Sequence, residues 1–156
     1  MARLKSVLFT ILIFIDQILK YLVVCYIPYC SYVNCISFNN LFNIVHVHNT
    51  GIAFGLFYKY ESNLLIIIFI LLLLMIIYLY NYWYKLHRMI RIAFCLIISG
   101  GISNLIDRLF HNYVIDFVDI GVNLIRYPTF NTADIYICIG FIILFININK
   151  IGNDLI

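Results

Sequence analysis

Carboxylates are scarce in this chain, seven in 156 residues, and most stand in or beside long apolar runs. Asp16 has Lys20 one turn later on the same helix face, a spacing that allows an ion pair. A charge at such a depth in an apolar helix costs ~2.5–3.5 kcal/mol on insertion scales. The pair therefore either stitches a helix bundle together or helps to shape a polar pocket. Asn104, Asp107 and Arg108 stand at i, i+3 and i+4 and share one helix face. Gly100 and Gly101, just before them, would let a second backbone or a ligand approach closely. That group reads either as a glycine packing seam closed by an Asp107–Arg108 clasp or as the wall of a site. Asp116 lies in Val114-Ile115-Asp116-Phe117, with apolar residues on both sides. Asp134 follows Asn131 by three, the spacing of an N-cap and its N3 partner, which the helix dipole favours. Such a cap also fixes where the carboxylate points, so capping and catalysis are compatible.

The chemistry open to this set is narrow. No Ser–His–Asp or Cys–His grouping has motif context. Two carboxylates a few ångströms apart share a proton instead of both ionising. One then acts as general base on a water and the other, as general acid, polarises a carbonyl. Asp116 and Asp134, eighteen residues apart across one loop, could form such a pair, although spacing alone does not bring them together. Asp119, three residues after Asp116, has the same kind of apolar context. His46 and His48 could pair on one strand face, but no third ligand stands at a metal-site spacing, and no metal is expected. Cys25, Cys30, Cys35, Cys95 and Cys138 show no metal-ligand spacing either. Cys30 and Cys35, if outside, allow a disulfide; the alternative for all five is small apolar filler.

The elements that must position these residues lie in a membrane. The chain has one domain's length, is 65% hydrophobic and 11% charged, and has a mean hydropathy of +1.03. Soluble domains run near ~45–50% apolar and ~25% charged, and a small domain has too much surface to hide the excess. A disordered chain, a nucleic-acid binder and an ordinary cytosolic enzyme are excluded. Four stretches read as helices, Ser6–Ile27, Leu64–Tyr80, Ile92–Ile106 and Ile135–Asn149. A ~30 Å hydrocarbon core asks for ~20 residues, so the last two borrow a turn from polar flanks. The spans then run about 6–27, 62–80, 90–108 and 131–149, with outward loops at about 28–61 and 109–130. Arg3, Lys5, Lys85, Arg88, Arg91 and Lys150 fall on one side, against Lys59, Arg108 and Arg126 on the other. That bias puts both termini in the cytoplasm, with Tyr80, Tyr82, Trp83 and Tyr84 as an inner aromatic belt. Arg3, Lys5 and the apolar run after them imitate a secretory signal, but Asp16 and Lys20 interrupt the run and no small-residue cleavage site follows, so the segment reads as an uncleaved first helix. Alternation in Asn34–Phe38 and Asn43–His48 suggests short strands. The expected fold is an all-α polytopic membrane protein with four transmembrane helices and a small extracytoplasmic β element in the first outward loop.

Five motifs in order resemble one family. Asp16-Gln17-x-x-Lys20, Asn49-x-Gly51-x-Ala53-Phe54-Gly55, Gly100-Gly101-x-x-Asn104-x-x-Asp107-Arg108, Val114-x-Asp116-Phe117 and Phe130-Asn131-x-Ala133-Asp134 look like those of the bacterial lipoprotein signal peptidase (signal peptidase II). The resemblance implies an aspartic endopeptidase of the bacterial cytoplasmic (inner) membrane, multi-pass, with its active site near the outer face. Such enzymes remove the signal peptide of prolipoproteins just before a diacylglyceryl-modified cysteine. By the same resemblance Asp116 and Asp134 are the catalytic pair. Asp16, Lys20, Asn49, Gly51, Asn104, Asp107, Arg108, Asn131 and Ala133 form or support the substrate pocket. The implied partners are diacylglyceryl-prolipoproteins, membrane lipid and globomycin-type inhibitors. No metal, organic cofactor or nucleic acid is implied. Ser103 stands where the family usually has Gly, and a hydroxymethyl group there would tighten helix packing. Leu22-Val23-Val24-Cys25 imitates a lipobox, but Val24 is bulky where lipoproteins have Gly or Ala. The reading from another class is a small transporter or assembly factor using Asp16 and Asp134 as a proton relay; it would spread carboxylates through the bilayer depth. An intramembrane serine protease would need a Ser–His pair, and no His falls inside an expected span.

Overall fold

Long apolar runs have few ways to satisfy their backbone in a membrane, and helices are the simplest. The computed structural model describes residues 2–29, 36–37, 41–51, 61–122 and 125–147. Its helices are α1 (Ala2–Tyr26), α2 (Glu61–Tyr82), α3 (Arg88–His111) and α4 (Thr132–Ile146). Its strands are β1 (Ile36–Ser37), β2 (Phe42–Asn49), β3 (Val114–Val122) and β4 (Ile125–Arg126).

Helix α3 is the centre of the bundle. The other three helices all pack on it, and it buries Ile90, Ala93, Cys95, Ile97 and Ile98 along one course. Residues on α1 and α2 such as Phe14, Tyr21, Ile66 and Phe69 remain exposed, as apolar side chains facing lipid should. The α3–α4 contact is the closest. A Cβ at Gly100 would strike the Ala133 carbonyl oxygen, and one at Gly140 would come 2.8 Å from the Ala93 carbonyl oxygen. Glycine at these two points lets the backbones meet. Helix α3 ends at Asn112, whose φ of 64° is left-handed and whose N–H donates to the Arg108 carbonyl. That cap turns the chain directly into β3.

Among the described residues three helices, Phe9–Tyr26, Leu65–Tyr82 and Arg88–His111, are long and apolar enough to cross a membrane, and the fourth expected span falls on α4, a shorter apolar helix, with residues 148–149 of that span outside the described residues. Helix α4 starts at its capping box and runs 15 residues, ~22 Å at 1.5 Å per residue. Its polar start is received by protein, through Asp16 and α3, so it needs no lipid-facing extension there. The β element, moreover, is not confined to the first outward loop. The antiparallel sheet has the order β1-β2-β3-β4, and its longest strand, β3, comes from the loop before α4. Of the expected strand at Asn34–Phe38, only Ile36–Ser37 falls within the described residues, where it pairs with Asn43 and Ile44. The Ala53-Phe54-Gly55 stretch, Cys30 and Cys35 lie outside them.

The sheet register brings the loops to the bundle. Val47 pairs with Asp116 and Asn49 with Val114, after an irregularity between Ile44 and Val47. Phe130 bridges Val118, with N–H to O distances of 2.8 and 3.1 Å. The residue after Phe130 is the cap of α4, so this bridge carries the start of α4 alongside β3.

Candidate active site

The deepest polar layer is built on Lys20. Its ammonium is 1% exposed and lies 2.7 Å from Asp16 Oδ2, 2.7 Å from Asp107 Oδ2 and 2.9 Å from Asn104 Oδ1. Three donors meet three acceptors, which is what makes a buried ammonium tolerable. Asp16 is fully buried. It accepts hydrogen bonds from Thr132 Oγ1, from the Ala133 N–H at 2.9 Å and from Ser103 Oγ at 2.7 Å. A carboxylate against the first N–H groups of α4 is an anion at a helix N-terminus, where the dipole favours it. The hydroxymethyl of Ser103 thus joins the polar network as well as the packing. Gln17 closes the layer with 2.8 Å to Asp107 Oδ1.

Asn104 links this layer to the next. Its carbonyl oxygen accepts from Lys20 and, at 3.2 Å, from Asn131 Nδ2, which leaves its amide nitrogen to donate to Asp134 Oδ1 at 2.8 Å. Asp134 Oδ2 takes the Asn131 backbone N–H at 3.1 Å, while Asn131 Oδ1 takes the Asp134 N–H at 3.0 Å. This is the reciprocal capping box read from the sequence. Asn131, with no exposed surface, then reaches sideways: its Nδ2 donates to Asp116 Oδ1 at 2.8 Å. Asn49 Nδ2 donates to Asp116 Oδ2 at 2.9 Å. Each of the four oxygens of Asp116 and Asp134 therefore receives an amide donor, and Asn131 serves both carboxyls. Burial, and after it the charge of Asp134, pushes the Asp116 carboxyl up to about 7, against the hydrogen bonds of Asn49 and Asn131.

All eleven residues singled out from the sequence are drawn into the two layers, with one relationship changed. Asp107 and Arg108 do not clasp each other. They leave α3 in different directions, Asp107 toward Lys20 and Gln17, and Arg108 toward the loop after β2, where Nη2 donates to the Gly51 carbonyl at 2.7 Å. Gly51 N–H in turn donates to Asn49 Oδ1 at 3.0 Å, so Arg108 braces the turn that aims Asn49 at Asp116. Asp119 is drawn elsewhere. Its carboxylate holds Arg126 at 2.6 Å and Asn43 at 2.9 Å. His46 and His48 do pair, Nε2 to Nε2 at 3.1 Å, with the His48 ring stacked on Tyr29 and Tyr113. Thr132 was not anticipated as a ligand of Asp16; its place next to the N-cap was the available signal. Gln17 appeared in a motif but not among the site residues.

The comparisons with known proteins bear on what this arrangement belongs to. Residues 8–150 match the sequence model of the family described as signal peptidase (SPase) II. The chain belongs to the signal peptidase II family. It is 44% identical over 147 residues to the lipoprotein signal peptidase of Borrelia hermsii, covering 86% of this chain and 84% of that one. It is 36% identical over 138 residues to the lipoprotein signal peptidase of Thermodesulfovibrio yellowstonii, covering 88% and 89%. A bacterial membrane enzyme solved by the in meso method at 2.3 Å superposes with a TM-score of 0.78 at 24% identity, covering 94% of this chain and 87% of its own. A second such structure, at 1.9 Å, gives 0.75. At that identity the likeness bears on the fold. As a member of the signal peptidase II family the chain is a membrane-embedded peptidase.

Proposed function

We propose that this peptidase is an aspartic endopeptidase that removes the signal peptide from diacylglyceryl-modified prolipoproteins, cutting just before the lipid-bearing cysteine. The observation that carries the reading is the convergence of Asp116 and Asp134 on Asn131. A buried and a half-buried carboxyl, both held by amide donors and the first pushed up to about 7, are poised to hold one proton between them. In the reaction the ionised carboxylate takes a proton from a water as that water attacks the scissile carbonyl. The protonated partner gives its proton to the carbonyl oxygen. Collapse of the tetrahedral intermediate breaks the C–N bond: the proton taken from water goes to the leaving amine, and one hydroxyl of the intermediate returns its proton to the other carboxylate, which restores the singly protonated pair. Asn49, Asn104 and Asn131 hold the carboxyls, and the Asp16–Lys20–Asp107 layer holds Asn104. With both termini in the cytoplasm, by the Lys/Arg bias, the pair lies near the outer face, where a lipid-anchored substrate would meet it from within the leaflet.

The test is cleavage of a diacylglyceryl-modified prolipoprotein by the purified protein in detergent, with globomycin-type inhibition expected. An amide keeps the shape of a carboxyl but can neither take nor give the proton. Asp116→Asn and Asp134→Asn are each expected to abolish cleavage while the protein still accumulates in the membrane. The double variant should be no worse, since the pair acts as a unit. Asp119→Asn should keep most of the activity, because its carboxylate faces Arg126 and Asn43 and not the Asp116–Asp134 pair. Full activity in Asp134→Asn would reduce that residue to a helix cap and end the aspartic reading.

A further inference from the structure

Helices α1 and α2 both pack on α3 but scarcely touch one another. The gap between them is a groove of about 470 Å³, within the ~300–1,000 Å³ range of small-molecule sites. Phe9 and Ile13 of α1 and Ile76 of α2 form its walls, and Ile98 of α3 lies at its floor. None of these side chains belongs to the polar layers of the candidate active site. At the end where α2 finishes, the groove is lined by Tyr80, Trp83 and Tyr84, rings suited to the depth of lipid headgroups. The same end carries Lys85, Arg88 and Arg91, with Lys85 and Arg88 exposed. The Arg91 guanidinium stands 5.3 Å over the Trp83 ring, which puts a cation at the mouth of the groove. Among the described residues none of the three has an acidic partner, and the carboxylates of Asp16, Asp107, Asp116, Asp119 and Asp134 are all engaged elsewhere.

We propose that this groove is a binding site for one anionic phospholipid of the leaflet on the side of the chain termini. One acyl chain lies between α1 and α2, and the phosphate meets Lys85, Arg88 and Arg91. The charge argues against the main rival, a substrate's signal-peptide helix. Such a helix carries a positive segment at its cytoplasmic end, which this cluster would repel. A zwitterionic lipid such as phosphatidylethanolamine would fill the groove, but its own ammonium balances its phosphate and leaves the three cations without a net counter-charge, whereas each basic residue near an anionic surface favours the acidic headgroup by roughly fivefold.

The experiment is native mass spectrometry of the full-length protein released from vesicles of equal phosphatidylglycerol and phosphatidylethanolamine. The expected result is one retained phosphatidylglycerol per protein. Ile76→Trp, which fills the groove from one wall, should lose the retained lipid and still cleave prolipoprotein. The triple variant Lys85→Gln, Arg88→Gln, Arg91→Gln should keep a lipid but lose the preference for the anionic one. It leaves the apolar groove intact, so it tests the idea even if Ile76→Trp does not fold. Retention of phosphatidylethanolamine as often as phosphatidylglycerol by the unaltered protein would overturn the proposal. So would an unchanged preference in the triple variant.

Discussion

Asp116 and Asp119 differ by three positions in one strand, so they face opposite sides of the sheet. One side meets the cap of α4 and the other meets Arg126 and Asn43. That parity was in the sequence, but it could be used only once Val114–Val122 was known to be a strand. What was legible at this scale was pairing by local spacing: Asp16 with Lys20, and Asn131 with Asp134. Contacts between distant segments, such as Asn49 with Asp116, had no signal short of the family motif. The environment of Asp116 makes a prediction about stability. Its folded pKa stands above the ordinary carboxylate value, so the folded state holds a proton that the unfolded state has released. Stability contributed by this group is fully present below about pH 4 and is lost as the pH rises toward about 7. Asp116→Asn has no charge to bury. Its NH2 must face an amide donor at every pH, so the informative quantity is the change with pH. The melting temperature of the variant minus that of the parent, measured in detergent, should rise between pH 4 and pH 8. A flat difference would mean that burial does not penalise the Asp116 charge.

Packing between elements turns on single glycines. Gly100 and Gly101 look equivalent in the sequence, and both read as part of a seam. The structure separates them. A methyl group at Gly100 would strike the Ala133 carbonyl oxygen and come 2.8 Å from Ile137. A methyl at Gly101 would meet Leu72 Cδ2 at 2.6 Å, the far end of a flexible side chain. Gly100→Ala must push α4 away from α3, and Ala133 and Asp134 move with it. Gly101→Ala needs only a rotamer change at Leu72. Cleavage should therefore fall at least tenfold in Gly100→Ala, the scale on which small misplacements of reacting groups act, and stay within about twofold in Gly101→Ala. Equal loss in the two variants, in a prolipoprotein assay normalised to membrane abundance, would remove the α3–α4 contact as the device that sets Asp134. The strand beside this contact was the least legible element. Val114, Ile115, Asp116 and Phe117 are all buried, so β3 shows no two-residue alternation at its start. A strand covered on both faces reads as a short apolar run without a period. Helices α1 and α2 expose apolar side chains along most of their length, and their hydropathy, broken in α1 at Asp16, Gln17 and Lys20, marked them plainly.

Over the whole molecule, charge is sorted by depth. Lys20 is shared by Asp16 and Asp107 in the interior, and the Asp116–Asp134 pair lies beyond them, toward the sheet. The loop and terminal cations are unevenly divided along the sequence, and the expected topology assigns Arg3, Lys5, Lys85, Arg88, Arg91 and Lys150 to the opposite side. A chain inserted the other way would have to move those six across the membrane. The expected orientation therefore has the sheet outside, and the cysteines offer a way to check it. Cys95 is buried and Cys25 and Cys138 are exposed on helices α1 and α4, where lipid shields a side chain from a charged reagent. Cys25 is in the last turn of α1, close enough to the boundary that it should be replaced by Ser first. Cys30 and Cys35 come between α1 and β1 in the sequence, in the loop expected outside. In intact cells treated with a mild impermeant reductant, to open any Cys30–Cys35 disulfide, an impermeant maleimide should label the Cys25→Ser protein. Removing Cys30 and Cys35 as well should abolish the signal. Labelling that appears only after lysis would invert the orientation and put the Asp116–Asp134 pair on the cytoplasmic side, where a substrate already translocated to the outer leaflet could not reach it.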